Sequence, residues 1–159
     1  MRDVRGQGHS GFTAIELVAA LVIVGVGTAL AWGAYNGFLR RSEAQRAAEV
    51  FASDLALARA TAIRSRAPVT ILFDEGRLVY VLRAADGTVL LRRSFGRRDD
   101  LRLDRIDLAF AGDSVRFDAR GFADLSGAGG AVGEAAFRNR GEAYAVRFNA
   151  LGTAKVVRP

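Results

Sequence analysis

From Leu17 to Leu39 the chain runs 23 residues without a formal charge, against about 20 needed to span a bilayer as a helix. Arg40 and Arg41 close the run, and Trp32 and Tyr35 lie in its last third, where interfacial aromatics belong. A secretory signal peptide would carry an apolar core of about 7–15 residues followed by a small-residue cleavage site. This run is longer, and no A-x-A site closes it before the charges begin. A retained transmembrane helix is therefore expected. One carboxylate, Glu16, stands at its start. Such groups cost on the order of 2.5–3.5 kcal/mol at a helix centre and are usually paired or functional. Near the end of the span, Glu16 either snorkels to water or has a partner.

Gly25, Ala29, Gly33 and Gly37 follow one another at intervals of four. On a helix they share one face, where small side chains let another backbone approach closely. The rest of the 159-residue chain leaves room for a single modest domain. It has no cysteine, which removes disulfides, thiolate zinc sites and cysteine nucleophiles together. His9 is the only histidine, so a Ser-His-Asp triad, a histidine base or a His-rich metal site has little to draw on. The net charge of +6 rests almost wholly on arginine, Lys155 being the one lysine. That balance suits anionic partners, and it is equally what an arginine- and alanine-rich coding bias produces.

The residues around Glu16 carry a resemblance. Gly11, Phe12, Thr13, Ala14, Ile15, Glu16 and Leu17, preceded by Arg2 and Arg5 and followed by the apolar run, resemble the processing site of type IV prepilins and type II secretion pseudopilins. The resemblance implies that a prepilin peptidase cuts between Gly11 and Phe12 and methylates the new Phe12 amine. It also implies that Glu16 pairs with such an amine, in its own chain or in an adjacent subunit. Each charge is costly alone in an apolar bundle, and less so as a pair. The segment from Leu55 to Asp74, an Ala-Arg-rich helix end leading through Pro68 into a strand, looks like the H-type (GspH/FimT-like) minor pseudopilins. The terminal AVRFNALGTAKVV is similar to the glycine-centred hairpin that closes their domains. Many pilins place a proline midway along the membrane helix; this chain has none between Phe12 and Ala67, which leaves Gly33 or Gly37 to supply any flexibility.

Beyond Arg40 the helical pattern turns amphipathic. Ala44, Ala48, Phe51, Leu55, Ala58 and Ala62 share one face, with Arg46, Glu49 and Arg64 on the other. Pro68 ends it, since the residue before a proline is biased to extended geometry. The segments VTILFD, RLVYVLRA, TVLLRRSF, SVRFDARG and YAVRFNALGTAKVVR then read as strands, turning at Glu75-Gly76, Asp86-Gly87 and Leu151-Gly152. Leu125 to Ala136, rich in glycine, reads as a mobile loop rather than a phosphate cradle, because no lysine follows it. Asp113, Asp118 and Asp124 lack calcium-loop spacing and read as turn residues.

The expected fold class is α+β: a long helix, transmembrane in its first half and amphipathic in its second, packed on an antiparallel sheet. The expected organisation is a leader over 1–11, an assembly helix over 12–39, an amphipathic half over 40–67 and a β-rich periplasmic domain over 68–159. The expected role is a minor pseudopilin of a type II secretion system, working without cofactor, metal or catalytic residues. Its partners would be prepilin peptidase, other pilin-like subunits and the inner-membrane assembly platform. The alternative is a minor type IV pilin concerned with pilus assembly or DNA. For the latter, Arg92, Arg93, Arg97 and Arg98 flank Phe95 and could meet phosphates and stack a base, with Arg138, Arg140, Arg147 and Arg158 in reserve. Asp99, Asp100 and Asp104 oppose that field.

Overall fold

The computed structural model describes residues 13–96, 99, 101–110, 112–125 and 132–159, with the side chains of 30, 31, 33, 34 and 36–42 outside the description. Gly11, Phe12, Arg97 and Arg98 therefore lie outside the described residues. The chain divides into two compact units, Met1–Phe38 and Leu39–Pro159.

Among the described residues one helix, α1 (Ala14–Ser65), accounts for all the helical pattern. It passes Gly33 and Gly37 without interruption. In the first unit its apolar side chains are open: Ile15 is 78% and Ile23 72% exposed. Among the described residues no helix is long and apolar enough to cross a membrane. The unbroken run of described side chains at the start of α1 stops at 29.

The end of α1 is a Schellman motif. Ala67 N–H donates to the Ala62 carbonyl and Arg66 N–H to that of Ile63, both at 3.3 Å, with Arg66 in the left-handed region at φ 52°. Pro68 then forbids a further turn.

In the second unit the helix presents Ala44, Ala47, Ala48, Phe51, Leu55, Ala58 and Ala62 at zero exposure. That row is the face the three- and four-residue spacing predicts, with Ala47 added. Against it, among the described residues, stand nine strands: β1 (Val69–Asp74), β2 (Val79–Ala84), β3 (Val89–Ser94), β4 (Arg105–Leu108), β5 (Ser114–Phe117), β6 (Ala123–Asp124), β7 (Val132–Asn139), β8 (Glu142–Asn149) and β9 (Ala154–Val157). They form two antiparallel sheets, one in the order β3-β2-β1-β5-β6 and the other β4-β7-β8-β9. Alternation sets which side chains enter the core. Val69, Ile71 and Phe73 of β1, Val115 and Phe117 of β5, and Val146 and Phe148 of β8 are buried, while Arg116 and Arg147 between the buried pairs of β5 and β8 are exposed.

Phe51 joins the layers. Its ring lies 5.3 Å from Phe73 and 5.4 Å from Tyr80 on the first sheet, and 5.4 Å from Phe137 and 6.3 Å from Phe148 on the second. Edge-on and tilted contacts of this kind add about 0.5–1.5 kcal/mol each beyond area burial.

The sequence reading needs one correction. Of the loop expected over Leu125 to Ala136, residues 126–131 lie outside the described residues and Val132–Ala136 belong to β7, paired along β8 from Val132↔Asn149 onward. Gly133, which reads as a loop glycine, is required by packing: a Cβ there would come within 2.6 Å of the Phe148 ring. Its smallness serves the sheet rather than mobility.

Phe51→Ala should cost about 3–5 kcal/mol, as for a large buried aromatic that cannot be backfilled. Chemical denaturation of variant and parent measures it, and a loss under about 1 kcal/mol would place the core elsewhere.

Candidate functional site

Three regions of the chain hold the residues expected to act. At the start of α1, Thr13 is the N-cap and Glu16 the third helical residue. The Glu16 Oε2 accepts the Thr13 backbone N–H at 2.9 Å and its hydroxyl at 2.8 Å, while Glu16 N–H donates to Thr13 Oγ1 at 3.3 Å. This reciprocal arrangement is a capping box: two N–H groups that the first turn cannot satisfy are satisfied by side chains. The Glu16 carboxylate thus has a partner within its own helix before any second subunit is present. The T-x-x-E spacing carries that signal, and a reading focused on the membrane passes over it.

Along the same helix, Gly25 and Ala29 are exposed. A side chain at Gly25 would meet nothing within 4 Å. Gly33 and Gly37 continue the helical backbone at the same interval. At Gly25 and Ala29 the face is open and small, as an approaching backbone requires.

The third region surrounds β3. Asp54, on the inward face of α1, is only 3% exposed. Its Oδ2 accepts the Tyr80 hydroxyl at 2.7 Å and Arg93 Nε at 2.9 Å, and its Oδ1 accepts Arg93 Nη2 at 3.2 Å. A buried carboxylate with three such donors is compensated; one without them would not be tolerated. Burial, reinforced by the hydrogen bond to Asp54, pushes the Tyr80 hydroxyl well above its ordinary value. The Asp54 hydrogen bond likewise holds the Arg93 guanidinium above its ordinary range, in its charged form. Asp54 sits three residues after Phe51 and four before Ala58, so its place on the apolar face was available from the spacing. A cleft of about 260 Å³ opens beside this network, lined by Val50, Arg92, Arg93, Ser94, Phe95, Asp99 and Leu101. Asp99 Oδ2 accepts Ser94 Oγ at 2.7 Å and Gly96 N–H at 2.6 Å.

The nucleic-acid reading loses its aromatic here. Phe95 is 1% exposed and packs on Tyr80 and Phe137 at 5.6 and 6.0 Å, so no base can stack on it. Three of the four reserve arginines are engaged as well, while Arg140 donates its backbone N–H to Asp104. Arg138 pairs with Asp107 and Arg147 with Glu134 at 2.6 Å, both across strands, and Arg158, just past β9, pairs with Glu142 at 3.2 Å. Such exposed pairs contribute little stability but do cancel local positive field. Of the expected patch, the structure brings Arg92 and Arg93 to one edge and ties Arg93 to the helix. Asp118 is a turn residue as expected, accepting the backbone N–H of Arg120 and Phe122 at 2.9 Å each. Among the described residues no cluster of three His, Cys, Asp or Glu side chains is placed to hold a metal ion.

Asp54→Asn should cost about 1–3 kcal/mol by leaving Tyr80 and Arg93 imperfectly paired. Alkaline pH acts on the same network. The unfolded chain releases a tyrosine proton near pH 10, whereas the folded chain keeps that of Tyr80. The stability this confers is complete below that pH and is lost above it. The unfolding midpoint should drop between about pH 9 and pH 11, and Tyr80→Phe should flatten the drop. An equal drop in both proteins would assign it to another group.

Curated proteins give no significant sequence match. Among solved structures, the type IV minor pilin FimU of Pseudomonas aeruginosa (strain PAO1) is similar at 19% identity and TM-score 0.55, over 77% of this chain and 92% of that one. The minor pseudopilin EpsH of the Vibrio cholerae type 2 secretion system is similar at 16% identity and TM-score 0.52, over 74% of this chain and 98% of that one. A second EpsH structure gives 15% identity and TM-score 0.54, over 75% and 96%. At these identities the likeness is one of fold. Residues 47–152, more than half of the chain, match the family described as Type II transport protein GspH, and the chain belongs to that family.

Proposed function

We propose that the chain is a minor pseudopilin, a structural subunit that joins a periplasmic pseudopilus and helps a type II secretion system export proteins. The observation that carries this is the GspH match over residues 47–152, on a helix and two antiparallel sheets shared with EpsH. A structural role fits side chains that, among the described residues, serve a helix cap, cross-strand pairs and a buried carboxylate.

The finer parts of the proposal rest on the N-terminal motif. Residues 1–11 are a leader, removed by prepilin peptidase between Gly11 and Phe12, and the new Phe12 amine is methylated. Residues 12–39 anchor the subunit in the inner membrane, which the uncharged run from Leu17 to Leu39 supports. Residues 40–67 continue as the amphipathic half of the helix, and 68–159 lie in the periplasm. Gly25, Ala29, Gly33 and Gly37 form the face on which neighbouring helices pack, and the assembly platform of the inner membrane receives the subunit.

Glu16 is the pairing group. Its carboxylate begins bonded to Thr13 in the capping box and exchanges part of that bonding for a methylated amine on incorporation. An ion pair inside an apolar bundle costs less than two isolated charges. A second reading, a minor type IV pilin, is favoured by the likeness to FimU. It keeps the same leader, helix and assembly face and differs in the filament served.

Glu16→Ala should leave peptidase processing intact and lower recovery of the subunit in sheared filaments by about tenfold, equivalent to ~1.4 kcal/mol. Equal recovery of variant and parent would remove Glu16 from assembly.

A further inference from the structure

Among the described residues, strand β3 is an outer edge of its sheet, bonded on one side only, to β2. The register fixes what the other side offers. Phe95 N–H donates to the Leu78 carbonyl at 2.9 Å, and Arg93 and Leu91 stand opposite Tyr80 and Leu82. In an antiparallel ladder, bonded and non-bonded pairs alternate. Arg92 and Ser94 therefore hold the non-bonded positions against β2, and their N–H and C=O groups face outward. Edges of this kind are templates for another strand.

The side chains give that edge a chemistry. Arg93 turns inward to Asp54, so Arg92, its neighbour in the strand, turns to the opposite face. Among the described residues Arg92 has no carboxylate partner. Arg93 is 42% exposed, and bonding to Asp54 uses only two of its five N–H groups. Val89 and Leu90, 51% and 45% exposed, lay open apolar surface at the start of the same strand. The cleft bounded by Val50, Arg93 and Leu101 lies alongside.

These features also select the occupant. A second copy of β3 laid antiparallel about Arg92, an outward-facing position, would set the two Arg92 side chains against each other, and like charges directly opposite destabilise a pair. A strand bearing carboxylates meets Arg92 favourably. We propose that the outer edge of β3 takes an extended, acidic segment of a different subunit as an added strand, with backbone bonds to Arg92 and Ser94 and a carboxylate at Arg92. The inference rests on the reading of the chain as an assembly subunit, and it names the contact that reading leaves open. Arg92 disfavours the homotypic pairing centred on it, and the open backbone admits a partner of the right charge.

The test uses the full chain in detergent micelles, isotopically labelled, with acetyl-Val-Glu-Val-Glu-Val-amide and its lysine counterpart as probes. The acidic peptide should shift the Arg92 and Ser94 amide resonances and slow their hydrogen exchange. The lysine peptide should bind about tenfold more weakly, because the charges repel. Arg92→Glu, at an exposed position, should reverse the preference with an unchanged melting temperature. Ser94→Pro, which removes an outward N–H and no bond to β2, should abolish binding while melting like Ser94→Ala. Equal affinity for the two peptides, binding that leaves both amides unprotected, or no binding of either peptide would overturn the proposal. Each of these outcomes leaves the Glu16 incorporation result unaffected, so the two failures are distinguishable.

Discussion

Everything in the folded unit depends on one aromatic ring being shared by two sheets. Phe51 projects from α1 and touches Phe73 and Tyr80 on one sheet and Phe137 and Phe148 on the other. Alanines before and after it keep the helix surface low, so both sheets can approach the helix backbone. One turn along, Asp54 adds a directional constraint that apolar packing lacks. Its carboxylate must find Tyr80 on β2 and Arg93 on β3, which fixes the rotation of the helix over those strands. Hydrophobic burial supplies the driving force, and the buried carboxylate selects a single register.

Much of this was legible in the residues. The buried face of α1 follows from apolar spacing, and all six positions it names have zero exposure. The stop at Pro68 and the turns at Asp86-Gly87 and Leu151-Gly152 follow from backbone chemistry, with Gly87 and Gly152 at φ 87° and 71°. Three things were less legible, each for a physical reason. Gly133 looks like loop because composition cannot show that Phe148 lies across the sheet from it. Asp54 looks like an ordinary helix residue until tertiary structure delivers Tyr80 and Arg93, which are 26 and 39 residues away. Strand β4, carrying Ile106 between charged neighbours, is too short to announce itself and exists because β7 pairs with it.

The candidate sites divide in the same way. Arg92, Phe95 and Arg93 read as one basic-aromatic patch in the sequence, yet strand alternation sends Phe95 to the core and Arg93 to Asp54, leaving Arg92 at an open edge. What remains is less suited to phosphate than to a partner's backbone and carboxylate. At the other end, Glu16 reads as a misplaced charge in an apolar run. The capping box gives it a structural duty in the isolated helix, and the proposed assembly step gives it a second one.

That second duty depends on a bond being cut. Glu16 gains an amine partner only if Phe12 becomes an amino terminus, since a peptide nitrogen carries no charge. The central claim therefore concerns one bond and one methyl group. Mass spectrometry of the amino terminus of the chain, recovered from cells that assemble the filament, reads both at once. An N-methylated Phe12 with residues 1–11 removed is the predicted result; a chain retaining its leader ahead of Phe12 would contradict the account.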